Sequence, residues 1–172
     1  MDLLDIIKKR RSIRRYKDKP VEEEKIKKLL EAFRWAPSAG NVQPWFVYII
    51  KNKKIKEELV KAALGQRFIS EADTVFVICA DLKRAYMSYG KRGETLYVYQ
   101  DTAAGIQNLL LEAYYLGLGS CWVGAFHEES VAKILNLPSN LRPIAIVPVG
   151  YPGESPSPPP RRSIDSFTKV IR

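Results

Sequence analysis

Six cationic side chains fall within eight residues, Lys8-Lys9-Arg10-Arg11-Ser12-Ile13-Arg14-Arg15, with a hydroxyl among them. Guanidinium groups at that density can grip a phosphate through paired N–H donors, and they can equally follow a nucleic-acid backbone. Taken alone, the cluster could also be a solvated charge run. A second stretch, Trp35-Ala36-Pro37-Ser38-Ala39-Gly40-Asn41-Val42-Gln43-Pro44-Trp45, carries no charge. Its prolines stop any helix from passing through. Between them Ser38, Asn41 and Gln43 offer hydroxyl and amide groups suited to the edge of a flat heteroaromatic ring. Turn chemistry favours the same residue types, so an ordinary helix-to-strand connection competes with that idea. A third element, Arg161-Arg162, supplies a second cationic site far along the chain.

The elements that must hold these stretches are legible from periodicity. Leu3, Leu4, Ile6 and Ile7 make one apolar face over residues 2–9, with Asp2 at the favourable end and Lys8 to Arg10 at the other. Acids at 22–24 open a second helix, which carries Ile26, Leu29, Leu30 and Phe33 at half-buried spacing and ends before Pro37. Trp45 to Ile50 and Thr74 to Ala80 are aromatic and β-branched runs, expected as buried strands. A helix lies between them over 55–63. Residues 81–93 are expected to be a mobile loop. A long helix over 94–116, apolar most of the way round, must be buried on more than one side. Its small residues Ala103, Ala104 and Gly105 permit a close neighbour; the helix is either a central core helix or, the favoured reading, one that crosses a dimer interface. Ser120–Gly124 and Pro143–Gly150 are two further strands, with a short helix over 130–137 between them. Residues 151–160 are proline-rich and should run extended as a stiff spacer. Phe167 to Ile171 is expected as a terminal strand.

The chain has 172 residues, 46% of them hydrophobic, enough for one domain with an extension. We place the domain at 1–150 and a C-terminal arm at 151–172. No apolar run reaches membrane length, and the acidic N-terminal residues do not form a secretory signal. A cytoplasmic protein with two buried free thiols, Cys79 and Cys121, is expected. One histidine and two cysteines are too few for a zinc site. The net charge of +9 permits nucleic-acid binding, but no such motif is present and the aromatics sit in apolar runs away from the basic cluster.

A phosphate clamp and ring-edge hydrogen bonds in one chain suit FMN. The sequence resembles the nitroreductase family of FMN-dependent oxidoreductases. The resemblance rests on Arg10-Arg11-Ser12-Ile13-Arg14-Arg15-Tyr16, on Ala36 to Trp45, on Gly119-Ser120-Cys121-Trp122-Val123-Gly124 and on Val149-Gly150-Tyr151-Pro152. It implies an α+β sandwich-like fold, with a central mixed or antiparallel sheet flanked by helices. It also implies a homodimer with two FMN sites at the interface and a C-terminal arm exchanged across it. Arg10, Arg11, Ser12 and Arg14 would bind the phosphate, the ribityl chain and the O2/N1 edge of the ring. Asn41 and Gln43 would contact the isoalloxazine. Pro37, Ser38 and Ala39 would come from the other subunit, as would Gly124 near N5. Gln66 falls where a further flavin contact often lies. Arg161 would match the family's C-terminal phosphate contact, and Arg162 is a poorer match. The implied activity is hydride transfer from NADH or NADPH through FMN to a nitroaromatic, quinone or flavin acceptor, by a ping-pong mechanism. No side chain would be an obligate acid, base or nucleophile; Arg14 and Gly124 would tune the flavin. The same scaffold also resembles reductive dehalogenases and flavin-fragmenting enzymes, which carry extra elements over the ring. Residues 81–93 are the one lid candidate here. The sequence does not choose between NADH and NADPH.

Overall fold

The computed structural model describes residues 2–172. Its sheet has four strands: β1 (Trp45–Ile50), β2 (Thr74–Asp81), β3 (Gly119–Ser120) and β4 (Leu141–Gly150). They lie in the order β1-β2-β4-β3, and every pairing is antiparallel. The sheet is therefore antiparallel rather than mixed, apart from a parallel bridge between Ser12 and Ser120 at its β3 edge. The helices are α1 (Leu3–Lys9), α2 (Glu23–Arg34), α3 (Lys53–Ala62), α4 (Phe68–Glu71), α5 (Leu82–Arg92), α6 (Val98–Tyr115) and α7 (Glu128–Ile134).

Strand alternation divides the core in two. Val75, Val77 and Cys79 of β2 point to a layer made by α3, α4 and α7, where they meet Leu59, Ile69 and Val131. Phe76 and Ile78 point the other way, to α2 and α6, where they meet Leu29, Phe33, Ile106 and Leu109. Both faces of β2 are dry, hence its unbroken apolar run. Of the small residues of α6, Gly105 serves this packing within one chain: a Cβ there would sit 2.8 Å from the Phe33 ring. Ala103 and Ala104 stay half-exposed.

Several expectations change. Residues 81–93 are mostly helical rather than a loop. Asp81 caps α5 through the Arg84 N–H (3.0 Å), and the helix breaks only at Tyr89 and Gly90. A π-turn at Gly93–Tyr97 then leads into α6, so the α-helix proper starts at Val98. β3 is two residues long; beyond it, only Val123 rejoins the sheet, by a bridge to Ile146. The short helix lies at Glu128–Ile134, and α4 is an additional turn of helix. Residues 151–153 are tied to the chain's own start, with the Gly153 N–H donating to Arg15 O and the Lys17 N–H to Tyr151 O. Past them the chain runs extended and exposed. Residues 167–171 form no strand: Ile164–Ser166 is a 3-10 turn, and Phe167, Val170 and Ile171 are 62%, 78% and 88% exposed. A strand needs a partner edge, and this segment has none in its own chain.

Candidate functional site

Residues 10–16 leave α1 as extended chain running along the β3 edge, where the Ile13 N–H donates to Ser120 O (2.9 Å). Extended backbone sends alternate side chains to opposite sides, and this separates the arginines. Arg10, Ser12 and Arg14 all lie around the Cys121 thiol. Arg11 and Ile13 line a different cavity of about 370 Å³ with Lys9, Tyr114 and Glu154. The Arg11 Nη1 group donates to Lys8 O (2.6 Å) and Arg10 O (2.7 Å), the open carbonyls at the end of α1. Arg11 is thus a helix cap, and its buried Nε has no partner.

Arg161 returns to the same corner. Burial lowers the affinity of Arg10 for its proton, and the charges of Arg11 and Arg161 lower it further. Arg162 turns away, donating to Ser166 O (2.8 Å) with its guanidinium over the Phe167 ring. Among the described residues no carboxylate lies within ion-pairing distance of the Arg10, Arg14 or Arg161 guanidinium groups; the nearby Glu154 takes the Arg14 backbone N–H instead (2.5 Å). Like charges gathered without a counter-charge favour an anion.

Two further residues belong to this corner. Gln66 donates to Ala63 O (2.9 Å) and Ala125 O (3.0 Å), fixing the turn that contains Gly124. Nothing lies within 4 Å of a Cβ built on Gly124. Arg14 stands over the ring of Phe68, two residues from Gln66. Burial raises the Cys121 thiol against the pull of Arg14, Ser12 and Arg10, and with no relief from any cation it pushes Cys79 up to about 12. Both thiols are therefore protonated, buried packing groups.

The uncharged stretch makes a separate corner. Gly40, Asn41 and Gln43 are all left-handed, with φ of 55°, 56° and 52°. The Gln43 N–H donates to Ser38 Oγ (3.0 Å), and its side-chain amide donates to Asn41 O and Oδ1, both at 3.2 Å. The Ala39 N–H donates to Asp101 Oδ1 (3.1 Å), and Arg84 Nε donates to Val42 O (2.6 Å). Asp101 is buried, which raises its pKa, and the Ala39 N–H opposes that rise. The ties that Arg84 and Asp101 make to this loop were not expected from sequence. Nothing in the sequence pairs them with it, because they lie 42 and 62 residues away from their partners.

These corners are diagonal to each other. The loop enters β1, one edge of the sheet; Ser12 pairs with β3, the opposite edge, about 14 Å away across the strands. Ala39 touches Asp101 near the start of α6, whereas Arg11 shares its cavity with Tyr114 near the helix end. Between those two residues α6 rises about 20 Å. Arg10 and Arg14 are therefore far from Asn41 and Gln43 of the same chain. Within the chain, Gly124 lies at the arginine corner, and Asn41 and Gln43 share the other corner with Pro37, Ser38 and Ala39.

The model of the nitroreductase family matches residues 7–73 and 61–151, which takes in both corners. The chain belongs to the nitroreductase family. That family comprises NAD(P)H-dependent nitroreductases and flavin oxidoreductases. An NADH dehydrogenase of Thermus thermophilus is 35% identical, over 91% of this chain and 90% of its own length. The oxygen-insensitive NADPH nitroreductase of Salmonella typhimurium is 31% identical, over 88% of this chain and 66% of its own length. Among solved structures, the NADPH:FMN oxidoreductase of Vibrio harveyi in complex with NAD+ superposes with a TM-score of 0.91 at 24% identity, covering 99% of this chain and 77% of that one. At that identity the likeness speaks for the fold. Among the described residues no helix is long and apolar enough to cross a membrane, and no group of three His, Cys, Asp or Glu side chains is placed to hold a metal ion.

Proposed function

We propose that this nitroreductase is a cytoplasmic homodimer that binds one FMN per chain across the subunit interface. It would pass a hydride from NADH or NADPH through FMN to a small-molecule acceptor, a nitroaromatic, quinone or flavin, in a ping-pong cycle. The observation that carries this reading is the diagonal placement of two complementary half-sites, one cationic and one neutral, on a single chain. A two-fold axis brings one half-site of each kind together twice.

The residues present fit the cofactor. Arg10, Arg14 and Arg161 form an uncompensated cationic cluster for the phosphate, with the Ser12 hydroxyl among them. Arg11 adds charge while capping α1. The Gly124 N–H makes no hydrogen bond among the described residues, and a Cβ on Gly124 would meet nothing within 4 Å, so we assign this N–H to a ring nitrogen. The loop Pro37–Gln43 of the other subunit supplies the amide groups for the ring edge. FMN, when bound, supplies the hydride-accepting chemistry; the chain supplies orientation and electrostatics. In this arrangement Arg14 sets the charge near the pyrimidine edge of the ring. The exposed arm after Glu154 packs on the partner subunit, which covers the apolar side chains of Phe167, Val170 and Ile171.

The test is direct. The purified protein should carry flavin absorbance, take up one FMN per chain, and be reduced anaerobically by NADH or NADPH. Protein that stays colourless after incubation with FMN, and instead binds DNA with a steep salt dependence, would sink the proposal.

A further inference from the structure

Resting on the flavin reading above, we propose that Tyr89 is a specificity-determining residue: its ring latches the flavin-facing loop and walls the space an acceptor must enter. The backbone around Tyr89 departs from helix three times in succession. Tyr89 itself has φ −137° and ψ 19°, and Gly90 has φ 55° and ψ −145°, a conformation open only to glycine. Gly93 packs so tightly under Ala85 O and Tyr89 Cβ that any side chain there would collide with them. The next turn, Gly93–Tyr97, is a π-helix, a form that costs stability and concentrates at functional places.

These departures have one joint result. With this backbone the Tyr89 hydroxyl lies directly over Gly40, where a Cβ would overlap it. Tyr97, from the π-turn, braces the ring edge-on at 5.5 Å. Gly40 is the left-handed centre of the uncharged loop, between Ser38 and Gln43. One side of the Tyr89 ring is thus fixed to the loop, while 43% of the residue stays exposed. Met87 and Tyr86, on the same helix, have 76% and 54% of their surface open. A flat acceptor approaching a ring held by the loop must pass this aromatic wall. The ligand class it selects is therefore planar aromatic acceptors, limited by the number of fused rings.

The first test uses the FMN-loaded dimer with NADH, comparing 1,4-benzoquinone with the three-ring 9,10-phenanthrenequinone. Tyr89→Ala should raise kcat/KM for the larger quinone relative to the smaller by at least about fivefold, mainly through KM. FMN affinity should change less than about twofold. Tyr89→Phe, which keeps the ring, should restore the original ratio. An unchanged ratio in Tyr89→Ala overturns the wall. The second test needs no cofactor: urea midpoints of Gly40→Ala, Tyr89→Ala and the double variant of the apoprotein. The loss caused by Gly40→Ala should shrink by at least half when Tyr89 is already Ala. An equal loss in both backgrounds overturns the latch. A protein that takes up no FMN fails the flavin reading and the wall with it, while the urea cycle still decides the latch.

Discussion

The arginine corner and the amide corner of this chain treat polarity in opposite ways. At the first, regular extended backbone is hydrogen-bonded to the sheet edge, and the half-buried Arg10 guanidinium is repelled by Arg11 and Arg161 with no carboxylate within ion-pairing distance. At the second, the side chains are neutral and bond to one another, while the backbone takes up three left-handed residues. One corner is electrostatically unfinished and geometrically plain. The other is electrostatically closed and geometrically unusual. The contrast teaches that the first is organised to hold an anion and the second to present a shape, so each lacks what the other has.

The strongest way to break that comparison is complementation. Arg10→Ala/Arg14→Ala protein and Ser38→Ala/Asn41→Ala/Gln43→Ala protein should each be nearly inactive. Refolded together, random pairing should return about a quarter of the native sites, because half of the dimers are mixed and each rebuilds one site. No recovery in NADH-dependent quinone reduction would mean that the two corners do not share a ligand. Next in size, FMN at a hundred times its Kd should stabilise the apoprotein by about 2.7 kcal/mol, or roughly 5–10 °C in melting temperature for a chain of this length. Arg14→Ala should weaken FMN binding by roughly 10–100-fold, as expected for one charge-assisted contact of about 1.5–3 kcal/mol, and should slow hydride transfer measured by stopped flow. If both stay unchanged, Arg14 has no role at the ring.

Smaller effects sharpen the picture within each corner. Gln66→Ala removes two hydrogen bonds that fix the turn at Gly124. It should cost about 1 kcal/mol of stability in urea unfolding and weaken FMN binding several-fold. Asp101 gives the smallest effect. Its folded pKa lies above the ordinary carboxylate value because burial disfavours the charge, so the folded chain holds a proton that the unfolded chain releases. Stability from this group should therefore fall as pH rises from the unfolded pKa to the folded one, and stay level above it. Asp101→Asn keeps an acceptor for the Ala39 N–H and should flatten that slope, with a gain of about 1 kcal/mol or less at neutral pH. Thermal melts across the acid range check it; an unaltered slope would assign it to another group.

Much of this was legible in the chain itself. The apolar periodicities of residues 3–9 and 23–34 and the β-branched runs at 45–50 and 74–81 locate elements correctly, because each buries a face whose pattern is local. Residues 81–93 misled for the opposite reason. Their helix buries little more than Ala85, so no apolar stripe announces it, and Gly90 and Gly93 imitate a loop. The strand expected at Phe167–Ile171 shows the same limit from the other side: β-propensity without a neighbouring edge makes no strand.

By itself, the sequence determined the chemistry on offer: a cationic clamp, a neutral amide loop, a second pair of arginines, and the family that joins them. Residue types and spacing carry that information because charge, hydrogen-bonding capacity and backbone freedom belong to the residues. Only the tertiary structure decided which groups can act together. Strand order placed the two corners on opposite edges and ends of one sheet. Alternation along an extended segment parted Arg11 from Arg10, Ser12 and Arg14. The turn at Ile164–Ser166 engaged Arg162 and left Arg161 near enough to Arg10 to act on its charge. These are consequences of long-range pairing and packing, which fix distances that no local pattern encodes.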